Sequence, residues 1–389
     1  MLKDKVQEQM DRAVEAGDNA GCSLLVLKEG EEVLYCQSGY ADIEQERKIE
    51  RDTIFRIFSM TKPVTAAAVM MLAEEGKLSL LEPVSAYLPG FKNQKVVKGG
   101  TLVSAEHEMF IRDLMNMTGG LVYPDDATVP GRATGKVYES IEKDGVSTLD
   151  AANRFGQCPL LFQPGAEWRY GVSADVLGAV VEVVSGMKYG DFLKERIFDP
   201  LGMKDTAFYV PQEKQARLAK TYSLTEEGRP MEETGGLLAI PARMEKEPAF
   251  ESGGAGLGST ADDYARFGAM LIHGGTVNGH QLLRPRTVDF LTKSSLTERQ
   301  QKDFTRMILN NPGYTYGNLM RVLKYRPCSG CMASPGEYGW GGALGTGFGN
   351  SPKEKITMVY MMQRMKGGKV DLFLRLYNMI MSELGGPIE

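Results

Sequence analysis

The chain has 389 residues, 42% hydrophobic and 24% charged, with a formal net charge of −5. That length carries two or three domain-sized units and a large core. The interspersed acidic and basic residues exclude the basic footprint of a nucleic-acid partner or an anionic membrane surface.

No stretch approaches the ~20 apolar residues of a membrane span, and the charged amphipathic start lacks the apolar core of a secretory signal. The cysteines are odd in number and scattered at Cys22, Cys36, Cys158, Cys328 and Cys331. Together these features lead us to expect thiols in a reducing cytoplasm rather than a disulfide framework. Cys328-Ser329-Gly330-Cys331 is a lone C-x-x-C with no second pair, so it is read as a loop with two thiols, and no metal is expected. Most of the 22 methionines are expected to fill the core.

In chain order, residues 2–16 read as a helix closed by Gly17-Asp18-Asn19. Residues 23–28 and 32–37 read as strands around Glu29-Gly30-Glu31, a hairpin signal. After a polar connection, 54–58 lead into a helix through 64–72, with Gly76 as the residue past its end. From about 80 to 300 the pattern is mostly helix and long loop. A short helix at 111–117 stops at Thr118-Gly119-Gly120. The polar stretch 124–148 is expected to be a loop or lid near an active site. Helices follow at 175–185 and at 260–273, the second opened by a Ser259/Thr260 cap signal. The end returns to strands at 314–322, 342–347 and 356–362, with a closing helix at 370–384. Strands at both ends with helices between predict an α/β (α+β) fold. Its antiparallel sheet is drawn from both termini. Residues 1–80 and 300–389 form an α/β part, and 81–299 a mainly helical insertion carrying active-site loops.

The stretch that stands out is Phe55-Arg56-Ile57-Phe58-Ser59-Met60-Thr61-Lys62. Residues at i and i+3 share a helix face, so the Ser59 hydroxyl and the Lys62 amine meet one turn apart. A helix N-terminus beside them offers unpaired N–H groups and a positive dipole end. These parts fit an activated serine nucleophile. Ser-x-x-Lys also occurs at Ser140/Lys143 and Ser185/Lys188, and Ser59 alone reads equally as a helix cap. Context separates the copies. Ser185 precedes Gly186 at a helix C-terminus, and Ser140 lies in a charged segment without apolar support.

Absences narrow the chemistry. The three histidines, His107, His273 and His280, sit in polar, helix-end and turn-like stretches. There is no G-x-S-x-G elbow, zinc-protease helix, P-loop or dinucleotide fingerprint. A serine enzyme here therefore takes its base from Lys or Tyr. Tyr170 stands at a turn before a helix, where a tyrosine usually only packs. Beside an ammonium it can instead accept and return a proton. Tyr338-Gly339-Trp340-Gly341-Gly342-Ala343 is a glycine-rich strand candidate. It suits a plain bulge or the close approach of a substrate backbone, with Trp340 walling a pocket.

The ordered set Ser59-x-x-Lys62, Tyr170 and Trp340-Gly341-Gly342 resembles the serine β-lactamase and penicillin-binding protein superfamily, and more narrowly the class C β-lactamase-like, or family VIII, carboxylesterases. Arg112-Asp113-Leu114, Pro164-Gly165, Ile197-Phe198-Asp199-Pro200-Leu201-Gly202-Met203 and Gly254 through Asp262 extend the likeness over nearly the whole chain. The resemblance implies a β-lactamase/transpeptidase-like fold. It implies Ser59 as the acylated nucleophile, Lys62 and Tyr170 as its acid–base partners, and an oxyanion hole from the backbone N–H groups of Ser59 and Ala343. Trp340, Gly341 and Gly342 would line the substrate. It implies no cofactor and a small ester substrate, acting as a monomer or homodimer. Two departures from the lactamase pattern point toward neutral esters. Val172 stands where Tyr-x-Asn has its asparagine, and Trp340-Gly341-Gly342 replaces Lys-Thr-Gly. Amide cleavage at β-lactams or D-amino-acid peptides, acyl transfer to an alcohol, and a non-catalytic sensor are the alternatives.

Overall fold

The structure, a computed structural model, describes residues 1–226, 228, 230–233, 244–277, 279–293, 296–308, 311–365 and 372–387. Helix α1 (Leu2–Glu15) leads into strands β1 (Gly21–Lys28), β2 (Glu31–Asp42) and β3 (Arg47–Lys48). Glu29 and Gly30 turn the first hairpin with φ of 54° and 86°, the left-handed pair whose twist matches that of the strands. The other end of the chain supplies β4 (Tyr314–Gly317), β5 (Met320–Leu323), β6 (Tyr338–Gly341), β7 (Gly347–Ser351) and β8 (Ile356–Met362).

These eight strands form one sheet in the order β4-β5-β6-β7-β8-β1-β2-β3, antiparallel at every junction. The two ends of the chain join where β1 lies beside β8, with Cys22 opposite Met362 and Lys28 opposite Ile356. This is the antiparallel sheet from both termini that the sequence predicts.

The longer helices that follow are α2 (Thr61–Glu74), α3 (Val129–Asp144), α4 (Thr148–Gln157), α5 (Ser173–Ser185), α6 (Ala261–Ile272) and α7 (Leu372–Leu384). Residues 370 and 371, expected in the closing helix, lie outside the described residues. A side chain added at Gly268 of α6 would strike Phe348 and Asn350 of β7, while one added at Gly347 would strike Phe373 of α7. Neighbouring strand residues face opposite ways, so α6 and α7 cover opposite faces of the sheet. Helix α2 is buried from Thr61 through Leu72. Apolar all round, it is a core helix rather than a surface one, and it packs on α5.

Three expectations need correction. The stretch 124–148 is not a loop, because α3 occupies most of it. Its buried stripe is Pro130, Thr134, Val137 and Ile141. That spacing is helical, but with only two strongly apolar members the periodicity is hidden. Ser140 therefore sits on a helix. The stretch 314–322 is not one strand. Asn318 and Leu319, at φ of 51° and 65°, fold it into the β4–β5 hairpin. The stretch 342–347 is a tight turn between β6 and β7, closed by the Gly345 N–H donating to Gly342 O at 3.0 Å. Gly345 at φ 88° provides its left-handed corner.

Candidate active site

Ser59 does not cap α2. It lies in a 3-10 turn, Phe58–Met60, just ahead of that helix, and the capping position belongs to Met60. Phe58, the residue before it, is held at φ 44°. Such a conformation costs a bulky residue about 1–3 kcal/mol and persists only where its surroundings enforce it. The surroundings are visible. Phe55 and Arg56 pair with Ser259 and Gly258. The Ile57 N–H donates to Leu257 O at 3.0 Å, and the Leu257 N–H to Thr61 Oγ1 at 3.2 Å. The Gly253–Leu257 loop thus clamps the turn from one side.

The β6–β7 turn clamps it from the other. Thr346 Oγ1 donates to Ile57 O at 3.3 Å. A side chain at Gly342 would come within 2.5 Å of that same carbonyl, so only glycine lets the two backbones approach. Gly341, Gly342 and Ala343 consequently line the same cleft as Ser59, Tyr170 and Trp340, with Ala343 exposed.

Lys62, one turn into α2, has no solvent exposure. A buried ammonium must find acceptors for its protons. Lys62 Nζ donates to Ser59 Oγ at 3.1 Å, to Tyr123 Oη at 3.0 Å and to Gly254 O at 2.8 Å. Tyr170 Oη donates to Ser59 Oγ at 2.8 Å. Its ring lies beneath the ammonium, 4.6 Å from centroid to nitrogen. Tyr170 is set by the turn before α5, where the Arg169 N–H donates to Met117 O at 3.0 Å. Ser59, Lys62 and Tyr170 are therefore brought together.

Two groups beside them carry no motif that marks them in the sequence. Tyr123 shares the ammonium with Ser59. Burial pushes its phenol well above the ordinary range, reinforced by Tyr170 and Asp175, so it stays protonated. Asp175, buried in the first turn of α5, accepts from the Gly254 N–H at 3.1 Å and from Ser252 Oγ. Burial raises its carboxyl above the usual range, opposed first by the Lys62 charge. No motif spacing marks Tyr123. Asp175 carries only the weak signal of an acid in a mostly apolar helix that also holds Glu182.

Val172 and Trp340 stand in different surroundings. Val172 has no exposed surface and packs in the hydrophobic core. Trp340 is 6% exposed and lines the cleft, but its indole Nε1 also donates to Tyr170 Oη at 3.0 Å. Its ring belongs to a cluster with Tyr170, 5.6 Å away, and Tyr316, 5.2 Å away. All three histidines are exposed, and none appears in the cleft. Cys328 is exposed and Cys331 buried. Among the described residues no group of three or more His, Cys, Asp or Glu is placed to hold a metal ion, and no helix is long and apolar enough to cross a membrane.

The chain is similar to known proteins along nearly its whole length. A beta-lactamase family model matches residues 2–378. An uncharacterized protein of Mycobacterium tuberculosis is 33% identical over 95% of this chain and 92% of its own. Esterase EstB of Burkholderia gladioli is 29% identical over 88% of this chain and 86% of its own. The solved structure of EstCE1, described as a hydrolase with promiscuous acyltransferase activity, superimposes with a TM-score of 0.83 at 27% identity, covering 97% of this chain and 98% of that one.

Proposed function

The chain belongs to the beta-lactamase family, with its β-lactamase/transpeptidase-like fold, and we propose that within this family of serine hydrolases it is a carboxylesterase acting through an acyl-enzyme on Ser59. The observation that carries this reading is the placement of Lys62 Nζ and Tyr170 Oη on the Ser59 oxygen, at 3.1 and 2.8 Å.

In this mechanism the Ser59 oxygen attacks the ester carbonyl and its proton passes to the Lys62–Tyr170 pair. The negative oxygen of the tetrahedral intermediate is held by the N–H groups of Ser59 and Ala343. The intermediate collapses, the C–O bond to the alcohol breaks, and the departing oxygen takes the proton back. Water then attacks the acyl-serine by the same route in reverse. The reaction needs no redox partner, and every proton is returned.

Two considerations favour a neutral ester over a β-lactam. Trp340 brings no charge to the position where a lactamase lysine would meet a carboxylate. The relatives include Esterase EstB and EstCE1. Acyl transfer to an alcohol is the second reading, favoured by the acyltransferase activity stated for EstCE1. The test is to assay p-nitrophenyl butyrate and nitrocefin side by side on one purified sample, with and without added alcohol. Faster nitrocefin turnover contradicts the ester reading.

A further inference from the structure

From the indole hydrogen bond we infer that Trp340 is a positioning residue for proton transfer: its N–H fixes the Tyr170 oxygen against Ser59 and supports that oxygen when its proton is gone. This rests on the esterase reading above and adds to it a role that wall-forming residues do not have.

The geometry is specific. Tyr170 Oη receives the Trp340 N–H at 3.0 Å while reaching Ser59 Oγ at 2.8 Å. A phenol oxygen that gives up its proton needs donors, and hydrogen bonds to the charged form favour that form. The indole supplies one donor and has no acceptor capacity, so it never competes for the proton. Its aim is enforced by packing. Tyr316 of β4 meets the Trp340 ring edge-on at 76°, and the ring is nearly buried. Trp168, the other tryptophan, stacks on Tyr170 at 6.3 Å, and its own buried Nε1 has no partner among the described residues. Only the Trp340 indole is turned toward the phenol oxygen.

The other groups around Tyr170 are Ser59 at its oxygen, Lys62 of α2 over its ring, Tyr123 from the loop after Gly120 and Tyr316 of β4, with Asp175 of α5 near Tyr123. All keep their identity when Trp340 is replaced, and an aromatic ring at 340 retains a partner for Tyr316. Without the indole N–H, the deprotonated oxygen loses one donor, so the acid limb of the kcat/KM–pH profile moves toward higher pH.

The experiment uses the full chain with two replacements. Trp340→Phe keeps an aromatic wall and removes the donor. Site-specific incorporation of 3-benzothienylalanine at position 340 keeps the bicyclic shape and removes only the N–H. Both should lower kcat for p-nitrophenyl acetate by about tenfold and shift the acid limb upward, with KM changed less than twofold. If the benzothienyl enzyme keeps the native profile and kcat, Trp340 is merely a wall and the inference falls. Tyr170→Phe, measured in parallel, separates the two claims. If it stays active, the mechanism itself is wrong. If it is inactive while the benzothienyl enzyme is native, only the role of Trp340 is wrong.

Discussion

Tyr170 and Ser59 stand 111 positions apart in the chain and meet oxygen to oxygen at 2.8 Å. Lys62 is the third partner, and its buried ammonium spends its hydrogen bonds on Ser59, Tyr123 and Gly254. The site depends on two packed helices at once, with Ser59 in the turn before α2 and Tyr170 in the turn before α5. Helix α2 carries the lysine, and the turn before α5 carries the tyrosine.

Loss of either partner should be severe. Tyr170→Phe and Lys62→Ala are each expected to lower kcat/KM for p-nitrophenyl butyrate by at least about a hundredfold, the scale of lost acid–base assistance. A mild effect from Tyr170→Phe removes it from the mechanism. Thermal unfolding of each variant, run alongside, separates lost chemistry from lost folding.

Tyr123 should matter less. Held protonated by burial, it serves as a hydrogen-bond partner of Lys62 and not as the base. Tyr123→Phe removes one acceptor from a buried ammonium, a loss of about 1–3 kcal/mol when the group is left unsatisfied. We expect roughly a tenfold fall in kcat, clearly smaller than that of Tyr170→Phe. An effect equal to or larger than the Tyr170 effect would reverse the two assignments.

The sequence displayed the core of this site because its signals are local. Ser59 and Lys62 are one helical turn apart, and the predicted apolar helix behind them is α2. Tyr170 is legible through its place before α5 and through the family's ordered motifs. Tyr123 was invisible for a physical reason. It reaches Lys62 only because the Tyr170 turn packs on its loop, and that packing needs Gly171, where a side chain would lie 2.3 Å from Leu121 O. Nor does any spacing reveal where an indole N–H points. The β4–β5 hairpin is hidden because Asn318-Leu319 turns without a glycine, and α3 because only Val137 and Ile141 of its buried stripe are strongly apolar.

Position 172 offers a test of burial against motif. Val172→Asn restores the lactamase letter but places an amide in the core. The expected result is a loss of stability of about 1–3 kcal/mol, from a polar group buried without partners, and no gain in nitrocefin hydrolysis. Thermal denaturation and the nitrocefin assay read the two outcomes. A gain in lactam turnover would show that residue 172 reaches substrate after all.

The buried Asp175 carries a pH dependence of defined sign. Its carboxyl is raised in the folded chain, chiefly by burial. Folding therefore favours its protonated form, and its contribution is most favourable below the unfolded carboxyl range near 3.9. That contribution is lost as pH rises through the higher folded value. Asp175→Asn removes this slope. Unfolding free energy against pH from 4 to 7 should rise more steeply, or fall less, in the variant than in the native chain. The opposite difference contradicts the assignment.

The most direct measurement is mass spectrometry of the full chain, acid-quenched within the first turnover of p-nitrophenyl acetate. The account predicts a single acetyl adduct of 42 Da, the mass of acetyl replacing hydrogen, formed together with a stoichiometric burst of nitrophenol. It places the adduct on the peptide containing Ser59 and predicts its absence in Ser59→Ala. Turnover without an adduct, or an adduct on another residue, contradicts it.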